Sequence, residues 1–192
     1  MSIAESQQRA ASEFVDLVAG LGAGRALHSE TAIAVSARLS GSLLLRSFGF
    51  DLDTPKPGTV LLSEEANQKI PLLINLLVVY LKQSQIELDP GMLGGAPELR
   101  GGEPELDTLA SLELVQEAAI KIASRHSLSM QQAAESATLA TAFIVKECSR
   151  SIRSETAFNV ASYGLLEGCK TVPPRLAGSS VKSLRKPWYK LW

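Results

Sequence analysis

The chain has 192 residues, of which 45% are hydrophobic, 20% charged and 5% aromatic. That is enough for one domain with a sizeable core, too apolar for a disordered chain, and too poor in aromatic residues to favour a β-sandwich; plentiful Ala, Leu and Ser suit helices packed through small side chains. The formal net charge is −1, yet residues 1–120 carry 8 Lys/Arg against 16 Asp/Glu and residues 121–192 carry 11 against 4, a polarity that fits a basic tail for an acidic partner or mutual neutralisation in the fold or an oligomer.

The opening MSIAESQQRAASEF has neither the basic nor the apolar region of a signal peptide, so a cytoplasmic protein is expected. Residues 3–20 predict a first helix, with Ala11, Phe14, Val15 and Val18 recurring at spacings of three and four. GLGAGRALH, residues 20–28, breaks it. Its glycines are spaced GxGxG and follow a helical segment, so they read as a helix-to-helix turn and not as a phosphate cradle, which wants GxGxxG between strand and helix.

Residues 29–36 read SETAIAVS, and residues 154–161 read SETAFNVA. Each copy follows a turn and predicts a helix start, with Ser29 or Ser154 as N-cap and Glu30 or Glu155 in the first turn. Small residues follow in rows: Ala32, Ser36 and Ser40 in one helix, Ala157, Ala161, Gly164 and Gly168 in the other. Such rows let helix axes approach closely, which explains the shared letters without duplication. The copies would also sit on the second helix of one half and the third of the other, an argument against a simple repeat.

The second helix runs to about Phe48. GFDLDTPKPGT, residues 49–59, is a loop. Ser63 with Glu64 and Glu65 opens a third helix to about Gln85, in which Pro71 marks a kink or the true start. IPLLINLLVVYL, residues 70–81, is apolar all round but too short to cross a membrane; it predicts the central, most buried helix. Residues 88–107 hold three prolines and five glycines and read as a linker or a long surface loop. A fourth helix begins at Asp107 or Thr108. A fifth carries the stripe Met130, Ala134, Ala137, Thr141, Ile144 and Cys148, and a sixth runs from Ser154 to about Gly168 before Pro173 and Pro174.

The fold class expected is therefore all-α, a compact bundle of about six helices around the apolar helix 70–81. Residues 1–177 form one helical domain, with 1–87 and 107–170 as potential halves joined by the loop 88–106. Residues 178–192 form a basic aromatic tail.

Little in the chain resembles a catalytic motif. Cys148 and Cys169 form no CxxC pair and no Cys/His cluster, so zinc is not expected. HExxH, GxSxG, ExxH and the P-loop are all missing from the sequence. His28 and His126 both lie at helix boundaries, where capping accounts for them. Asp51 with Asp53, and Glu64 with Glu65, read as solvated pairs. Neither cofactor nor metal is expected. A ligand pocket between helices, should one exist, would draw on His28, Glu30 and Asn75.

The end of the chain carries more signal. KSLRKPWYKLW packs Lys182, Arg185, Lys186 and Lys190 among Trp188, Tyr189 and Trp192. Trp is enriched at interfaces, and this mixture suits docking on the bundle or a second subunit, or an acidic protein partner. It also suits anionic membrane or nucleic acid, which are less favoured here. The expected function is a non-enzymatic helical interaction or scaffold protein, a homo-oligomer, acting through helical faces and this tail. An enzyme or small-ligand binder with an inter-helix pocket is the alternative, and a peripheral binder of anionic membrane or nucleic acid is a third.

Overall fold

The computed structural model describes residues 3–22, 27–94 and 102–176. Six α-helices follow one another: α1 (Glu5–Ala19), α2 (Ser29–Ser47), α3 (Glu64–Gln83), α4 (Thr108–Arg125), α5 (Met130–Cys148) and α6 (Ser154–Lys170). The expected all-α bundle is present, and one cluster of buried apolar side chains draws on all six helices. The third and fourth helices start where the sequence places them, and the first residues of the third, fourth and fifth are capped. Ser63 accepts from the Ala66 amide, Asp107 from Ala110, and Ser129 from Gln132 in a reciprocal capping box. Helix α3 runs unbroken through Pro71 and does not begin there.

The helices form two layers. In one, α4 and α6 flank α2; in the other, α1 and α3 flank α5. Within a layer the helices run parallel. Arg38 and Arg46 of α2 reach Ser111 and Gln116 of α4 in the same order, and Gln7 of α1 reaches Gln132 and Glu135 of α5 while Val15 lies beside Phe143. Between layers they run antiparallel, as Ser36–Thr141 and Ser40–Thr138 show for α2 and α5. Exchanging α1 with α4, α2 with α5 and α3 with α6 maps these neighbour relations onto themselves. The fold thus approximates two three-helix units about a two-fold axis between α2 and α5. The two SETA helices, α2 and α6, are not equivalent under that exchange.

Two sequence expectations need correction. The central helix is α2, not the helix containing residues 70–81. Fourteen of the nineteen residues of α2 are buried, whereas Leu72 and Val79 of α3 are 58% and 40% exposed. An all-round apolar sequence can be buried on every side or can bury one face and present the other; α3 does the second. Helix α2 lacks an unbroken apolar run because Ala, Ser and Gly hold six of its fourteen buried positions. Nor do Ser29 and Ser154 cap their helices. His28 and Arg153 hold the N-cap positions without a side-chain cap, and Ser29 instead bonds Ser151.

The packing of the SETA helices is also only half as the rows suggest. Helices α2 and α6 are the most closely packed pair, lying side by side and parallel. From α6 the expected Gly164 and Gly168 make the approach. From α2 it is Ala34, Ala37, Arg38 and Gly41. A Cβ on Gly168 would overlap the Arg38 carbonyl, and one on Gly41 would overlap the Leu165 carbonyl. Ser36 and Ser40 turn instead to α5, where Ser36 bonds Thr141 at 2.8 Å, and Ser40 bonds Thr138 at 2.7 Å and the Ala134 carbonyl at 2.8 Å. This buried hydroxyl seam is internally satisfied and fixes the register of the two central helices.

Arg38 ties the α4–α2–α6 layer together. Its buried guanidinium donates to Glu167 of α6 at 2.7 Å, to Ser111 of α4 at 3.0 Å and to the Leu106 carbonyl. The described parts of the 88–107 segment lie across the N-terminal ends of α2 and α6. The Glu105 amide donates to Thr31, Asp89 to Glu155, and Gly94 to Asn159, whose amide returns to the Met92 carbonyl.

Candidate functional site: an apolar groove on the α1–α5–α3 layer

Under the two-fold exchange, the counterpart of the closed α2–α6 contact is the gap between α5 and α3. No glycines bring these helices together; Leu72, Leu76, Val79 and Tyr80 stand on the α3 side. The gap is a groove of about 480 Å³, lined also by Leu44 of α2. A second depression of about 440 Å³ adjoins it, sharing Gln8 and Tyr80 and ending at Phe143, which is 48% exposed. Ala11, Leu76 and Leu139 form the floor, a small apolar cluster separate from the main core. Helix spacing explains why one strip is exposed: Leu72, Leu76, Val79 and Tyr80 recur at intervals of four, three and one, so they share a face of α3.

One charged group lies in this floor. Glu135 is 6% exposed; its Oε2 accepts from Gln7 Nε2 at 2.9 Å and its Oε1 from Gln131 Nε2 at 3.3 Å. Both partners are neutral amides, which satisfy the carboxyl oxygens without offsetting a charge. Lys69 and Asn75 line the same groove. Chemically the site is a long apolar trough with a carboxyl at its base, of a size that holds two or three large side chains.

The three residues suggested for a ligand pocket are not brought together. Asn75 lines the groove near Leu44. His28 caps the opposite end of α2, sixteen residues away, or about 24 Å along a helix; it is exposed, with Nε2 3.5 Å from Glu105. Glu30 lies one residue into that end, beside Cys148. Burial pushes the Cys148 thiol up, opposed by a hydrogen bond from Ser29, with Glu30 and Glu147 adding to the rise. His126 ends α4, where its Nε2 meets Glu13 at 2.7 Å. Asp51 closes a turn by accepting from the Asp53 and Thr54 amides. Lys182, Arg185, Lys186, Trp188, Tyr189, Lys190 and Trp192, the residues suggested for partner binding, lie outside the described residues.

Sequence reasoning missed Leu72, Val79 and Phe143. The signal was present: α3 carries more apolar surface than one buried face requires, and Phe143 stands next to the α5 stripe, not on it. Among the described residues no group of His, Cys, Asp and Glu could hold a metal ion, and no helix is long and apolar enough to cross a membrane. No protein-family model matches the chain, and neither a curated protein nor a solved structure shows significant similarity to it.

Proposed function

We propose that this is a non-enzymatic helical interaction protein whose binding surface is the groove on the α1–α5–α3 layer, and whose natural occupant is a polypeptide segment carrying large apolar side chains. One observation carries the reading: two contiguous apolar depressions bordered by Leu72, Val79 and Phe143, each at least 40% exposed. Contiguous exposed apolar surface bordered by polar residues marks an interaction site far more often than scattered exposed leucines do. Grooves between helices take an apolar helix face or an extended segment by inserting side chains at regular intervals. The proposed setting is the cytoplasm, which suits two free cysteines.

The test is a photo-crosslinking residue placed at Leu72 in the full chain. Irradiation is expected to join it to an apolar polypeptide segment, and Phe143→Lys, at the far end of the groove, is expected to abolish the adduct. Adducts that form equally well with Phe143→Lys, or none at all, would show that the trough is not a binding surface.

A further inference from the structure

We infer that the occupant of the groove is the C-terminal segment of the same chain, residues 182–192, which docks on the α1–α5–α3 layer. The inference rests on the groove being a polypeptide-binding surface and adds which polypeptide binds there. Four observations converge on it.

The first is charge. Helices α1, α3 and α5 together carry seven Asp/Glu against four Lys/Arg, whereas α2, α4 and α6 carry five against five. One of these acids, Glu13, is paired with Arg125 and His126 at the end of α4; along the two depressions Asp16 and Glu135 stand against Lys69, and Glu135 is held by neutral amides. Residues 182–192 carry four Lys/Arg and no Asp/Glu. The second is apolar content. The same eleven residues contain Trp188, Tyr189, Trp192, Leu184 and Leu191, which match a trough lined by Leu, Val, Tyr and Phe. Aromatic rings bury the most area per residue and prefer such sites.

The third is where the chain leaves the described fold. Gln116 receives Arg46 on its Oε1 and donates from Nε2 to the Pro174 carbonyl at 3.1 Å. Arg46 is two residues from Leu44, which lines the groove. The chain therefore leaves the described fold beside α4, at the C-terminal end of α2, the end from which Leu44 lines the groove. The fourth is reach. Twelve extended residues from Leu176 to Trp188 span about 40 Å, enough to pass one neighbouring helix and two layers, each spaced at about 10 Å. The first of them, Ala177, Gly178, Ser179, Ser180 and Val181, are small and impose no bulk on the path.

Trp188 and Trp192 are the two tryptophans of the chain, so fluorescence of the full-length protein reports on this segment alone. The expected result is emission blue-shifted relative to free tryptophan and protected from acrylamide, unchanged over a tenfold range of protein concentration. Leu72→Lys combined with Phe143→Lys is expected to shift the emission to the red and raise the quenching constant at least about twofold. Far-UV circular dichroism and the urea transition of the double variant check its fold; Val79→Lys alone serves if that variant does not fold. Leu62→Lys, at a position 54% exposed outside the groove, controls for added surface charge and should change nothing.

Red, readily quenched emission from the unaltered chain would overturn the inference. So would protected emission that the groove variants leave intact, because the segment would then be docked elsewhere. Protection that appears only with rising concentration would overturn it in favour of the tail of a second copy. In each of these cases the crosslink from Leu72 separates the two claims: a Phe143-dependent adduct to another segment keeps the groove as a binding surface and removes only its assignment to this tail.

Discussion

In the α4–α2–α6 layer the backbones of α2 and α6 touch through Gly41, Gly164 and Gly168. In the α1–α5–α3 layer the equivalent helices, α5 and α3, are held apart by leucines, a valine and a tyrosine, and apolar surface is left facing out. The two layers share a plan of three parallel helices, but one is closed by small residues and a buried arginine and the other is left open. Interhelical distance follows from the side chains at the crossing, about 8 Å for small ones and about 10 Å for large ones. Swapping glycine for leucine at a crossing therefore changes a core contact into a trough. A binding surface can arise in this way without any motif, because only the size of the residue at the crossing need change.

The comparison can be broken most violently in the closed layer. Gly168→Leu places a side chain against the Arg38 backbone on a face with no room. Its expected cost is about 3 kcal/mol or more, at the high end for overpacking, and urea denaturation should show either a collapsed midpoint or no folded protein. Arg38→Met comes next, at about 3 kcal/mol, since it removes a buried charge that Glu167, Ser111 and Leu106 all use. Glu167→Gln, which retains a hydrogen-bond acceptor toward Arg38, should lose about 1 kcal/mol in the same assay.

Truncations sharpen the contrast. Leu165→Ala in the closed layer, at 1% exposure, is expected to cost about 3 kcal/mol, and Leu76→Ala in the groove floor about 1 kcal/mol, because the open side needs no cavity to be sealed. Equal losses would mean that the groove is packed as tightly as the core. A pH titration addresses the same question chemically. Burial pushes the Cys169 thiol from its ordinary 9.0 up to about 12, with Lys170 opposing. The fold thus favours the protonated thiol. Its contribution to stability is complete below pH 9 and is lost as pH rises through the folded value, so Cys169→Ala should flatten the fall in stability between those limits. Leu72→Lys and Phe143→Lys change exposed positions and should each lose only what the docked segment contributes to the folded state, about 1 kcal/mol, although they are the ones expected to abolish binding.

The sequence by itself determined the helices. Periodicity located all six, and Ser63 and Asp107 marked the starts of two, because caps and amphipathic spacing act over only a few residues. The small residues Gly164 and Gly168 could be recognised as a close-packing face for the same reason. Which helix is central, which glycines meet which backbone, and which apolar face has no partner were decided by tertiary structure alone. Each depends on contacts between residues far apart in the chain, such as Ser36 with Thr141, Arg38 with Glu167, Gln7 with Glu135, or Leu76 with Leu139. The run at 70–81 is the clearest instance: its local pattern is equally consistent with burial on every side and with a half-open face, and only the leucine-filled gap to α5 made it the second.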